Sequence, residues 1–150
     1  MILTDTGPLV DLLDKDEGNY ALCTLISHRL PPEPLITTWP CFTEAMYLLG
    51  AIGGFRYQSA LWHLQSSEPL IIYIPSALEV DHIMVLMEKY SDTPMDLADA
   101  SLLSLAETHA FTRIFTIDSD FNIYGPKDGN ALEIIQQVYS CCKNTRKDRQ

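Results

Sequence analysis

Four short apolar runs constrain this chain most: Met1–Asp5 (MILTD), Leu35–Thr38 (LITT), Leu70–Ile74 (LIIYI) and Arg113–Ile117 (RIFTI). Each is too short for a helix of its own and rich in β-branched or aliphatic residues, so each reads as a strand. Between them lie longer stretches with apolar residues three and four apart. Pro8 suits the first turn of a helix that carries Leu9, Leu12 and Leu13. Asp16 to Leu30 reads as a second amphipathic helix, stopped by Pro31, Pro32 and Pro34. Thr43 to Leu49, Arg56 to Gln65 and Ala77 to Tyr90 read as three more. Pro94-Met95-Asp96 opens a strong helix from Asp96 to His109, with Asp96 as its N-cap and Ala98, Leu102, Leu105 and Ala106 as its apolar stripe. Leu132–Ile135 is a last strand candidate. Strands that alternate with helices imply an α/β domain with a central, mostly parallel sheet flanked by helices.

The length of 150 residues suits one domain, and 47% hydrophobic with 20% charged residues excludes a disordered acidic polymer. No linker or repeat divides the chain, so one domain is expected over residues 1–142, with a polar tail at 143–150. No basic leader precedes an apolar run at the N-terminus, and no apolar run is long enough to cross a membrane, so a soluble, cytoplasmic protein is expected. Of the four cysteines, Cys23, Cys41, Cys141 and Cys142, none forms a CxxC pair, and the expectation is reduced, structural thiols. Gly50, Gly53 and Gly54 make no phosphate loop, and Ser101 and Ser104 lack a nucleophile elbow. The four histidines are scattered and read as surface or structural.

The informative residues are acids. In open α/β sheets ligands bind beyond the carboxyl ends of the strands. Asp5 follows the first strand and Asp118 the fourth, with Asp120 two residues on. Glu44 interrupts an apolar helical stretch between Phe42 and Ala45. Asp96 and Asp99 lie three apart, on one helix face, between small neighbours Ala98 and Ala100. Each has an ordinary alternative as a cap, a turn former or an exposed position. Taken together, several partly buried carboxylates cannot all stay charged without a cation. Carboxylate oxygens suit Mg²⁺ or Mn²⁺.

The order of these segments resembles the PIN-domain family, in particular the VapC-type toxins of toxin–antitoxin pairs. LTDTGPLVDLLD is similar to that family's first strand and turn, with Asp5 at the first acid. TEAMYLL resembles the segment that carries its Glu, here Glu44. PMDLADASLLSLAE resembles the third motif, with Asp99 at the central acid and Asp96 as its companion. IFTIDSDFNIYGP resembles the fourth, with Asp118 after the strand. The resemblance implies a PIN-like three-layer fold and a Mg²⁺- or Mn²⁺-dependent endoribonuclease that leaves a 5′-phosphate and a 3′-hydroxyl. It also implies a homodimer and a cognate antitoxin. On that likeness Asp5, Asp99 and Asp118 would ligate metal, Glu44 would assist directly or through water, and Asp96 and Asp120 would be conditional ligands. Thr6 and Thr116 would hydrogen-bond the acids or the phosphate.

Two rival readings differ in kind. One is a PIN-like module that binds RNA or an antitoxin without catalysis. The other is a receiver domain or a phosphoaspartate phosphatase. The phosphatase wants a second Asp two residues after the first, where this chain has Gly7. A net charge of −10 excludes RNA binding through a broad positive field, so local cations such as Arg56, Lys89 or Arg113 are expected to help, while the basic tail, Lys143 to Arg149, reads as a solvated end with RNA contact as the alternative. Trp39, Trp62 and the tyrosines suit either packing or base stacking. Leu61, Trp62 and Leu64 are candidates for a dimer or antitoxin surface.

Overall fold

A computed structural model of the chain describes residues 1–16, 18–67, 70–93, 95–124 and 132–135. The tail 143–150, the pair Cys141–Cys142 and Pro94 lie outside the described residues. Among those described, the strands are β1 (Ile2–Thr4), β2 (Leu35–Thr38), β3 (Leu70–Tyr73), β4 (Arg113–Phe115) and β5 (Glu133–Ile134). The helices are α1 (Thr6–Asp11), α2 (Tyr20–Ser27), α3 (Trp39–Gly53), α4 (Phe55–Ser67), α5 (Ala77–Lys89) and α6 (Leu97–His109). The strands form one parallel sheet in the order β3-β2-β1-β4-β5. A receiver domain runs 2-1-3-4-5 instead, so that reading falls.

Alternation along β1 separates the layers. Leu3 packs with Ile36, Ile114 and Ile134 against α5 and α6, through Leu86, Leu102 and Leu105. Ile2 points the other way and packs with Phe115 against Cys23 and Ile26 of α2. A third cluster joins Leu9 and Val10 of α1 to Phe42, Ala45 and Leu49 of α3 and Leu61 of α4. Leu61 is thus fully buried in this core rather than available to a partner. Every residue of α6 from Ala98 to Ala106 is buried, so this helix is enclosed on all sides and not just along one stripe. Its serines are satisfied within the core: Ser101 Oγ donates to the Ala98 carbonyl at 2.8 Å and pairs with Thr38 Oγ1 at 2.6 Å, and Ser104 Oγ donates to the Glu79 carbonyl at 3.5 Å.

Several boundaries differ from expectation for local reasons. The second helix is shorter, starting at Tyr20, because Asp16 to Asn19 lacks inward apolar residues. α3 starts four residues earlier, at Trp39, because Pro40 is tolerated in a first turn. It ends at Gly54, whose φ of 64° suits glycine and turns the chain into α4. Ser76 and Glu79 form a reciprocal capping box on α5. β4 stops at Phe115; just beyond it the Thr116 hydroxyl donates to Asp5 Oδ2 and accepts from Asp118 N–H, which fixes the turn. α6 ends at Ala110, a left-handed non-glycine (φ 53°, ψ 38°), with Phe111 N–H donating to the Ala106 carbonyl at 3.0 Å. Ala110→Gly should relieve that backbone and stabilise the fold by about 0.5–1 kcal/mol in urea unfolding; a destabilised variant would refute the strain.

Candidate active site

In the order β3-β2-β1-β4-β5 the sheet reverses its winding between β1 and β4, and the crevice there opens at the strands' carboxyl ends. Asp5 directly follows β1 and Asp118 lies three residues past β4. Gly7 permits close approach of the two turns: a Cβ there would meet Ile117 Cγ1 at 2.7 Å. α6 runs with its first turn at the same crevice, bringing Asp96 and Asp99, and α3 brings Glu44 from its second turn. All six acids, Asp5, Glu44, Asp96, Asp99, Asp118 and Asp120, line one open pocket of about 550 Å³.

Each acid is held differently. Asp5 is buried; its Oδ1 accepts from Thr6 N–H at 2.6 Å and its Oδ2 from Thr116 Oγ1 at 2.8 Å. Thr6 Oγ1 donates to Glu44 Oε2 at 2.7 Å, so the two threonines orient the acids as expected. Asp96 caps α6, its Oδ1 accepting from Asp99 N–H at 2.9 Å. Asp118 N–H donates to Thr116 Oγ1 at 3.0 Å, and Asp118 Oδ1 accepts from Asp120 N–H at 2.9 Å, which shapes the short 3-10 helix Asp120–Asn122.

The charges are crowded. Burial, reinforced by Asp118 and Glu44, pushes the Asp5 carboxyl up to about 6, against the pull of its hydrogen bonds to Thr116 and Thr6. Burial, with the charges of Asp96, Asp5 and Asp118, pushes Asp99 up to about 7. Among the described residues no Lys, Arg or His forms an ion pair with any of the six.

Two solved structures share this architecture. The chain matches VapC20 of Mycobacterium tuberculosis, described as a sarcin–ricin loop cleaving toxin, with a TM-score of 0.76 and 16% identity, over 82% of this chain and 94% of that one. It matches FitAcB of Neisseria gonorrhoeae with a TM-score of 0.53 and 16% identity, over 79% of this chain and 88% of that one. The chain has a PIN-like fold. No protein-family model and no curated protein matches the sequence. Among the described residues no helix is long and apolar enough to cross a membrane.

The PIN-like crevice suits a hard divalent cation in donor type, being lined by carboxylate oxygens, and in charge, since Asp5 and Asp99 hold protons above the ordinary carboxylate range. Among the described residues no three His, Cys, Asp or Glu side chains stand together as a ready-made metal site.

Other expectations fall elsewhere. Arg113 begins β4, at the amino ends of the strands, where it holds Glu33 Oε1 and Oε2 at 2.8 and 2.7 Å. Parallel strands put that edge opposite the acids, so Arg113 does not serve the pocket. Lys89 lies over the Tyr90 ring at the end of α5. His82 pairs with Glu107 at 2.6 Å, and His109 Nε2 meets the Tyr73 hydroxyl at 2.9 Å, so both are structural. Cys23 and Cys41 are buried free thiols, each pushed up to about 12 by burial. The sequence assigns Tyr124 no role at the acids, grouping it only with the other tyrosines as suited to packing or base stacking. Its hydroxyl is buried with no hydrogen-bond partner among the described residues, and burial plus the charges of Asp99, Asp120, Asp118 and Asp96 push it up to about 12. Nothing in the string NIYGP marks it, because its place depends on how the segment after β4 folds back.

Proposed function

We propose that the chain is an endoribonuclease that hydrolyses RNA phosphodiester bonds with Mg²⁺ or Mn²⁺, acting as the toxin of a toxin–antitoxin pair. The observation that carries it is the set of six acids around one switch-point crevice with no described cationic partner, in a fold shared with a toxin described as cleaving the sarcin–ricin loop. Asp5, Asp99 and Asp118 would hold the ion, with Asp96 and Asp120 as conditional ligands. A divalent cation held there would lower the pKa of water and offset negative charge on the phosphoryl oxygens. Glu44 accepts or relays the proton of the attacking water, and Thr6 keeps its carboxylate aimed. Thr116 fixes Asp5. The water oxygen bonds to phosphorus as the bond to the 3′ oxygen breaks, leaving a 5′-phosphate and a 3′-hydroxyl.

A cognate antitoxin and a homodimer belong to the same proposal. The antitoxin is supported by the likeness to FitAcB, and a docking face for either partner by Leu78 and Val85, exposed seven residues apart on α5. The open spacing of the acids favours one second reading, a PIN-like module that binds RNA or an antitoxin without cutting. Purified protein should cleave RNA with Mg²⁺ or Mn²⁺ and stop in EDTA. Binding of RNA with no cleavage at millimolar Mn²⁺ would select the second reading.

A further inference from the structure

A second pocket, of about 660 Å³, opens beside the acids and shares Glu44, Asp96 and Ala98 with theirs. Its other wall is apolar and aromatic, built on Trp39, Thr43 and Tyr47. These lie four residues apart on α3 and so share one helix face. Trp39 is 41% exposed and Tyr47 76%. The Trp39 ring is steadied by an edge contact with the buried Phe42 ring, centroids 5.7 Å apart.

The two compartments have opposite chemistry and a common wall. One presents carboxylates suited to a phosphate bridged by a cation. The other presents exposed aromatic rings. The group covalently next to any RNA phosphate is a nucleoside. Among the described residues no Lys or Arg lines either pocket, and the chain carries a net charge of −10, so phosphate attraction supplies little grip here. Base–aromatic stacking needs no positive charge. We propose that this pocket takes the unpaired nucleobase flanking the scissile phosphate, stacked against Trp39 and Tyr47. The proposal rests on the nuclease reading above and adds which residues of this chain hold the base beside the cut; a base seated between them cannot at the same time be paired. Continuity with the acid pocket favours a base over a peptide segment as the occupant.

The test uses the full chain and a single-stranded RNA whose cut site has been mapped. Trp39→Ala, and separately an abasic nucleotide beside the cut, should each lower kcat/KM by about 5- to 100-fold, the worth of one base–aromatic stack. Combined, they should cost no more than either alone. Trp39→Phe should keep most activity. Tyr47→Ala, at an exposed position that leaves folding undisturbed, should raise KM. With Trp62→Phe as background and EDTA present, RNA should quench the remaining tryptophan fluorescence, and the same RNA annealed into a duplex should be neither bound nor cut at that site. Wild-type rates in both alanine variants, or an abasic RNA cut normally, would overturn the proposal while leaving the nuclease reading intact. It would also fall if the variants kept cleavage but lost self-association or antitoxin binding, which would make the pocket a protein surface. A wild-type chain that cuts no RNA with either metal would remove the nuclease reading and this one with it.

Discussion

Asp99→Asn should lower metal-dependent RNA cleavage by at least ~100-fold, since even groups that only orient a metal's ligands are worth ~10- to 100-fold. The substitution is nearly isosteric. Asp99 accepts no described hydrogen bond through its side chain, and its backbone N–H keeps the Asp96 cap. The loss would therefore come from one missing negative charge at the centre of the pocket, not from unfolding. Asp5→Asn should be as severe, but it also places an amide where Thr6 and Thr116 donate, so some of its effect would be positional. Asp120→Asn should cost less, because Asp120 lies furthest along the turn. Initial rates on a labelled RNA with Mn²⁺, alongside circular dichroism of each variant, measure this. An Asp99→Asn protein that cleaves at the wild-type rate would end the proposed function.

The same variant should be more stable than the wild type at neutral pH, a sign opposite to its effect on activity. Asp99 and Asp5 have ordinary values near 3.8 and folded values of about 7 and about 6. Between those limits the folded protein binds more protons than the unfolded chain, so metal-free stability falls as pH rises from about 4 through 7. Glu33 and Glu79 work in reverse. Arg113 beside Glu33, and Tyr73 beside Glu79, hold each near 2 against an ordinary 4.5, so their contribution is lost as pH drops below about 4.5. Metal-free stability should therefore peak around pH 4–5. One pKa unit is worth about 1.4 kcal/mol, but the pocket is open to solvent and screened. A gain of about 1–2 kcal/mol for Asp99→Asn at pH 7.5 is expected, or ~2–8 °C in Tm for a chain this size. Mn²⁺ should raise Tm at pH 7.5 more than at pH 5, and the variant should lose most of that dependence. A wild-type Tm that is flat between pH 5 and 7.5 would contradict the crowded-acid account.

Local chemistry explains what could be read early. LITT is a strand at Leu35–Thr38 with the expected bounds, because β-branched residues between Pro34 and Pro40 leave few alternatives. Asp96 caps α6 because Asp at that place satisfies an orphan N–H whatever surrounds the helix. By contrast, RIFTI loses its last two residues from β4, and Thr116 there finds Asp5, 111 residues away in the chain. Arg113 looked like a free cation until the sheet placed Glu33 beside it. Tyr124 and the Trp39–Tyr47 face read in the sequence only as aromatics suited to packing or stacking; their place beside the acids is defined by what lies next to them.

The sequence by itself determined the alternating strands and helices, the parallel sheet they imply, and six acids at strand ends and helix starts. Those follow from periodicity, turn chemistry and capping, which act over a few residues. Only the tertiary structure decided the strand order, the gathering of the acids around one crevice, and the aromatic pocket that shares its wall. Those depend on contacts between segments dozens of residues apart, where burial and charge repulsion act through space, not along the chain.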